Sequence, residues 1–255
     1  MAENSEGRVP TNLRALLILE AIGEAPDPLS ASDIGRIVGI PKQTAHRLCT
    51  TLEAEGYLNR MEGRGLYRPG RRARAMATGL LHASAHHHSR HQVLQWVADQ
   101  VGETVNFVVP EDQGMSYKDR VETNWAFRIQ LPIGSHVPFH CTASGKTFLA
   151  TLPKAERRRL VNVMQLPRLT ENTITDAPAL LDELHEISRN GYAVDNEEFL
   201  EGMVAVAVPV RDPQGRYFAS LAAHGPNQRL SIDQLRSHVP LLTQASERLT
   251  EVIFE

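Results

Sequence analysis

Between Leu29 and Leu58 the chain reads "LSASDIGRIVGIPKQTAHRLCTTLEAEGYL". An amphipathic pattern on each side of a Gly39-Ile40-Pro41 break restricts this stretch to two short helices joined by a tight turn. Before the break, Ser30 is placed to cap a helix, with Asp33 three residues on as a shortened capping box. Ile34, Ile37 and Val38 then form the expected inner face, and Gly39 stops the helix. After the break, Pro41 suits a first turn, where a missing N–H costs little, and Ala45, Leu48, Cys49 and Leu52 recur at helical spacing until Gly56. An earlier run, "LRALLILEAIGEA", predicts a first helix with Leu13, Leu16, Leu17 and Ala21 inward, Glu20 off pattern, and Pro26 and Pro28 ending it.

The second helix of the pair carries Lys42, Gln43, Thr44, His46 and Arg47 at its outward N-terminal end. Side chains of this kind in this place can reach base edges and phosphates, as in a helix-turn-helix. Directly behind it, "YLNRMEGRGLYRPG" reads as two short strands around the turn "MEGRG", a wing with Arg60, Arg64 and Arg68 along it. The bland alternative is a helical hairpin with a solvated charged face; three arginines on the following hairpin favour DNA. Charge is divided in the same sense. Residues 1–90 hold 12 Lys/Arg against 9 Asp/Glu, net +3, whereas 91–255 hold 15 against 21, net −6. Only the first part suits a polyanion.

From Arg71 to Val101 the chain is free of proline, which predicts a connecting helix running into the first helix of a second domain. Within it His86, His87, His88 and His91 invite a metal reading, but no carboxylate or cysteine stands beside them in sequence, and a polar hinge explains the run equally. Beyond it, "ETVNFVVP", "MSYKDRVE" and "WAFRIQLP" alternate as half-buried strands. "MVAVAVPV" and "RYFASLAAHG" add two more around "RDPQG", and helices are expected near 142–151, 153–164, 177–190 and 231–254. Strands and helices interspersed with tight hairpins predict an α+β domain, an antiparallel sheet covered by helices.

Three segments, "LRALLILEAI…LSASDIGRIVGIPKQTAHRLCTTLEAEGYL", "GSHVPFHCTASGKTFLA" and "GYAVDNEEFLEGMVAVAVPVRDPQG", resemble in order and spacing the IclR-type (isocitrate lyase regulator) transcription factors along nearly the whole chain. The resemblance implies a winged helix-turn-helix DNA-binding domain over 8–70, a linker helix over 71–88, and a GAF-like effector-binding domain over 89–255. It also implies double-stranded operator DNA and a small effector as partners, and homodimers that can pair again. Carried over position by position, the effector pocket comprises Ala126, Ile129, Val137, Ala143, Ser144, Asp195, Met203, Ala205, Ala222 and His224, with Gly145 at the helix start and Trp125 near the mouth. This chain departs from its relatives with Ala222 and His224 where serines are common, and with Ala205 where some have cysteine, so relatives' effectors do not transfer. His224 reads equally as a ligand contact or as a core histidine satisfied by backbone.

"HCTASGKTFLA", His140 to Ala150, looks like half of a phosphate-binding loop, but the far glycine that such a cradle requires is replaced by His140. It is read instead as a helix start whose free N–H groups, from about Ala143 to Lys146, face a cavity and favour an acid, with Lys146 turned to solvent or a neighbouring carboxylate. The expectation is a ligand-responsive regulator of a catabolic or transport operon, sensing a compact aromatic or short-chain acid that bears a hydroxyl or amine. Two alternatives stand beside it: an architectural DNA-binding dimer without effector, and an enzyme acting on a small acid. His140, Cys141 and Ser144, or Asp195, Glu197 and Glu198, are too poorly paired for the enzyme. No catalytic residue, cofactor or metal is expected. Two distant cysteines, Cys49 and Cys141, no apolar run near the ~20 residues of a membrane span, and a polar N-terminus predict a cytoplasmic protein.

Overall fold

The computed structural model describes residues 9–254 except 62, 84, 85, 113, 127 and 130. The chain divides into two compact units, Met1–Ser84 and Ala85–Glu255. The division falls inside the expected linker rather than at its ends; Arg8, where the first domain was expected to begin, lies outside the described residues.

The first unit runs α1 (Arg14–Glu24), β1 (Leu29–Ser30), α2 (Ala31–Val38), α3 (Lys42–Ala54), β2 (Leu58–Arg60), β3 (Leu66–Pro69) and α4 (Arg71–Ala83). The Ser30 hydroxyl accepts from the Asp33 N–H at 3.2 Å, and Gly39, at φ 71°, closes α2 in the left-handed conformation that glycine adopts most cheaply. The buried core joins Ile18 and Ile22 of α1, Ile34 of α2, Ala45 and Cys49 of α3, and Leu58 and Tyr67 of the wing. Two inner faces differ from expectation. Helix α1 buries Ile18, Ala21 and Ile22 and leaves Leu13 and Leu16 exposed, and α2 buries Ala31, Ile34 and Gly35 while Ile37 faces out. In α2 the reason is close approach: a methyl on Gly35 would stand 3.3 Å from the Ala45 Cβ, so α2 turns its glycine toward α3. The wing pairs β2 and β3 as expected and gains β1 as a third strand, in the order β1-β3-β2.

The second unit runs α5 (His86–Val101), β4 (Thr104–Glu111), β5 (Gly114–Val121), β6 (His136–Val137), α6 (Ala143–Thr151), α7 (Lys154–Val163), α8 (Ala177–Asn190), β7 (Ala193–Asn196), β8 (Met203–Arg211), β9 (Tyr217–Pro226), α9 (Ile232–Ser237) and α10 (Val239–Phe254). Six antiparallel strands form one sheet in the order β6-β5-β4-β9-β8-β7. Alternation along each strand divides its residues between two faces. On one face Val108, Tyr117, Val137, Ala205, Ala207 and Ala222 pack with Ala143 of α6, and beyond them α6 packs on α8 through Leu149, Leu180 and Leu184. On the other, Arg90 of α5 reaches Asp119 of β5, and Phe254 of α10 stacks edge-on against Phe218.

Two expectations fail here. No strand forms over 125–132: Arg120 donates to the Ile129 and Leu131 carbonyls and the Trp125 indole donates to the Gly102 carbonyl, so this segment spends its polar groups on a loop; Phe127 and Gln130 lie outside the described residues. The helix expected over 231–254 is broken at His238, because Pro240 has no N–H to continue the ladder. Among the described residues no helix is long and apolar enough to cross a membrane.

Candidate functional site

In the first unit Lys42, Gln43, His46 and Arg47 stand exposed on the first turns of α3 and Thr44 is half-buried, because Ala45 and Cys49 fix the opposite side of the helix in the core. Arg60, Arg64 and Arg68 are exposed along the wing, where Gly63 and Gly65 (φ 74° and 61°) make the turn; Glu62 lies outside the described residues. Among the described residues no carboxylate pairs with Lys42, Arg47, Arg60, Arg64 or Arg68. One face of this small unit therefore presents unneutralised cations around a helix N-terminus, which suits a phosphate backbone.

In the second unit, strand register gathers six of the expected effector residues, and the start of α6 adds three more. Along one row His224 lies opposite Ala205 and Ala205 opposite Asp195; Val137 lines β6, Met203 begins β8, and Ala222 neighbours His224 on the same face. Ala143, Ser144 and Gly145 form the first turn of α6 above this face, and all nine are buried. Ala205, Ala207 and Ala222 make its floor, and their short side chains pack in one cluster with Val108, Tyr117, Val137 and Ala143. Three positions fall elsewhere. Trp125 is 54% exposed beneath the Arg229 guanidinium, Ala126 is exposed, and Ile129 is half-buried with its carbonyl held by Arg120. The loss of the expected strand moves Trp125 and Ala126 off the sheet.

Sequence reasoning missed Asn106, Tyr117 and Arg120. Asn106 lies opposite both Ala222 and Arg120, and Tyr117 opposite Val108, which puts all three on the same face. The signal was Asn106 itself, a polar side chain at an inward position of an otherwise apolar strand. Arg120 was hidden because a register shift between Phe107 and Val108 interrupts the alternation of β5.

The first turn of α6 is partly used. Thr142 caps it, its hydroxyl accepting from the Gly145 N–H and its carbonyl from the Lys146 N–H. Among the described residues nothing accepts from the N–H groups of Ala143 and Ser144, so two free donors remain rather than the four expected. Gly145 is needed for packing, since a methyl there would lie 2.4 Å from the Phe139 carbonyl oxygen. Lys146 is fully buried and bonds Glu183 and Glu198 at 2.5 Å each. Burial alone would lower its pKa, but the two carboxylates outweigh it and hold the ammonium charged. This lysine is committed to protein carboxylates, which removes the phosphate-loop reading of Gly-Lys-Thr.

Electrostatics distinguish the two ends of the face. Burial, with Glu198 adding, pushes Asp195 up to about 7 although its Oδ1 accepts from the Glu198 N–H; its Oδ2 has no partner among the described residues. Burial, reinforced by Arg120, pushes His224 down to about 4, so the ring is neutral. Its Nδ1 meets the Asn106 amide at 3.1 Å, while His224 Nε2 and Asn106 Oδ1 stay unpartnered among the described residues. The backbone satisfaction weighed for His224 is partly present: the Ile129 carbonyl lies against the ring, but it already accepts from Arg120, and the close contact of His224 is the Asn106 side chain.

The histidine run and the enzyme alternative resolve physically. His91 Nδ1 lies 2.9 Å from Asp119 and His87 stacks on His91, so a carboxylate does stand near the run, brought by β5; Arg90 occupies its other oxygen. The side chain of His86 lies outside the described residues. Among the described residues no group of three or more His, Cys, Asp or Glu is placed to hold a metal ion. Cys141 has its thiol pushed up to about 12 by burial, then by Asp195 and Glu198, and His140 is bonded to the Pro167 carbonyl, so the pair makes no nucleophile and base.

Residues 13–61 match the IclR helix-turn-helix domain and residues 80–251 the domain described as bacterial transcriptional regulator IclR C-terminal. The chain is 41% identical over 243 residues to the probable transcriptional regulator SauR of Cupriavidus necator, covering 95% of this chain and 96% of that one. The crystal structure of Thermotoga maritima IclR superposes with a TM-score of 0.64 at 27% identity, covering 96% and 99% of the two chains. An IclR homologue from Microbacterium hydrocarbonoxydans, crystallised with 4-hydroxybenzoate, does so with 0.58 at 27% identity, covering 96% and 99%. The chain belongs to the IclR family of bacterial transcriptional regulators, a DNA-binding helix-turn-helix domain followed by an effector domain, and is not an enzyme.

Proposed function

We propose that this regulator binds operator DNA through α3 and the wing and responds to a small organic acid, bearing a hydroxyl at its other end, seated on the alanine-floored face of the effector sheet. The observation that carries the reading is a set of buried polar groups without partners around that floor: the free N–H groups of Ala143 and Ser144 with Asp195 Oδ2 on one side, Asn106 and His224 on the other. Buried polar groups are seldom left unpaired without a functional reason. Asp195 is the acid partner for an effector carboxylate: carrying a proton near neutrality, it donates to the anion that the helix N-terminus attracts. The row from His224 across Ala205 to Asp195 spans two strand spacings, roughly 10 Å, which suits a single ring with polar groups at opposite ends. The relative bound to 4-hydroxybenzoate supports an acid of this shape. Two chains acting together read two half-sites about one or two DNA turns apart, and the effector shifts the equilibrium between spacings that fit and do not fit them. Such control belongs to a catabolic or transport operon.

The test is calorimetry on the full chain with 4-hydroxybenzoate, short-chain hydroxy acids and sugar acids, in wild type and Ser144→Trp. Binding of the aromatic or short-chain acids by wild type and its loss in Ser144→Trp are expected. Sugar acids binding alone, or an unaffected Ser144→Trp, would contradict this placement.

A further inference from the structure

We infer that Asn106 and His224 act together as a donor and acceptor pair that selects effectors carrying a hydroxyl, over those carrying a methyl or a second carboxylate, at the end remote from the acid. The inference rests on the sheet face being the effector site and adds what that face discriminates.

Asn106 on β4 and His224 on β9 are diagonal neighbours, since Thr104 is opposite His224 and Asn106 opposite Ala222. Both are buried, at 0% and 3% exposure. Their one mutual contact, 3.1 Å between the Asn106 amide nitrogen and His224 Nδ1, fixes what each has left. An amide nitrogen only donates, so Nδ1 accepts and the ring proton sits on Nε2; the pair then offers a free acceptor, Asn106 Oδ1, and a donor, Nε2–H, whose backbone neighbour, the Ile129 carbonyl, is already held by Arg120. With the Asn106 amide turned over, its oxygen accepts from Nδ1–H, and the pair offers an amide donor and an Nε2 acceptor. Both arrangements leave one donor and one acceptor, and the Ile129 carbonyl beside the ring favours the first, with the proton on Nε2.

A hydroxyl meets that demand, because it donates and accepts through one atom. A methyl group does neither, and a carboxylate only accepts. Arg120, whose charge is felt at His224, already gives its Nη atoms to the Leu131 and Ile129 carbonyls and has Glu122 3.1 Å from its Nε, so those donors are committed to the protein and not to a second carboxylate. Ala205 and Ala222 beside the pair supply no competing polar group. A site built to hydrogen-bond a hydroxyl rejects the analogue that lacks it, because the pair is again left buried and unpaired.

The experiment titrates full-length protein with 4-hydroxybenzoate, 4-methylbenzoate and terephthalate, and records thermal unfolding without ligand. Wild type should bind 4-hydroxybenzoate at least tenfold tighter than the other two. His224→Gln, which retains a donor and an acceptor, should keep the preference within about threefold. Asn106→Leu/His224→Phe should abolish it and unfold at the same or a higher temperature, since removing both members of an unsatisfied pair restores no debt to the fold. Equal wild-type affinities for the three acids, or a double variant that unfolds clearly lower, would overturn the inference in favour of a structural pair. Should none of the benzoates bind, the ligand class proposed above fails, and the unfolding temperature alone decides the pair: unchanged or raised supports it, lowered overturns it.

Discussion

Asp195 concentrates the chemistry of the effector face in one group. Burial raises its pKa to about 7, so its proton comes and goes near neutrality instead of leaving at the usual carboxylate value. The sign for binding follows directly. In the proposed site an acid effector would be held by protonated Asp195 and repelled by the ionised form, so affinity is predicted to be greatest below about pH 7 and to decline as pH rises through that value, by up to roughly tenfold per pH unit. Asparagine retains a donor without a titration. Calorimetry at several pH values should find the slope in wild type and a flat profile in Asp195→Asn; a wild-type affinity that rises with pH would contradict the assignment. Folding has the same sign, for the folded chain binds the Asp195 proton more tightly than the unfolded one. This group's contribution to stability is fullest at acid pH and declines as pH climbs from about 4 through about 7. Lys146 behaves oppositely: its charge is permanent and belongs to a buried ion triad, so it anchors α6 and does not sense pH.

Helix α3 shows how an element turns packing into recognition. Ala45 and Cys49 lock one side into the core, and the other must present Gln43 and Arg47 outward. Gln43, in the first turn, is the base reader in this account, so Gln43→Ala should cost about 1–3 kcal/mol on a selected operator and little on random duplex. Arg47 is assigned by the proposal to phosphate, so Arg47→Ala should weaken both and flatten the salt dependence. Unchanged operator affinity in both variants, measured by fluorescence anisotropy, would take α3 out of the reader role. The same helix was legible in the sequence because its apolar positions recur at one period between a proline and a glycine. Helix α1 was read as a helix but on the wrong face: in "LRALLILEAI" nearly every position is apolar, and periodicity does not choose between the Leu13–Leu16 stripe and the Ile18–Ile22 stripe. "WAFRIQLP" alternates like a strand, yet the Arg120 side chain takes the carbonyls a ladder would need, and no local pattern reveals a partner from another strand. Strands β4, β5, β8 and β9 were visible as alternation, whereas β1, β6 and β7, of two to four residues, are too short to show it. Asn106 and Arg120 joined the site only through strand register, which the sequence does not display.

The whole molecule combines a DNA-binding unit with exposed cations and an effector unit with buried, unpartnered polar groups on its sheet face. One winged helix with a handful of base contacts reads too few base pairs for a specific operator, so the working species is predicted to be at least a dimer. Sedimentation at micromolar concentration should find twice the 28.3 kDa chain mass or more, and a 28.3 kDa species alone would contradict this. Within the second unit, Arg90 and His91 near the start of α5 hold Asp119, whose immediate neighbour Arg120 holds the loop carbonyls of Ile129 and Leu131. The central claim, that an acid on that face changes the grip on DNA, is tested most directly by operator affinity with and without ligand. A duplex selected from random sequence by the protein itself would be titrated by fluorescence anisotropy at fixed salt, with and without saturating 4-hydroxybenzoate, in wild type and Ser144→Trp. At least a tenfold ligand-dependent change in operator affinity is expected for wild type, about 1.4 kcal/mol of coupling, and none for Ser144→Trp. An operator affinity that stays the same with ligand bound, or that changes equally in Ser144→Trp, would contradict it.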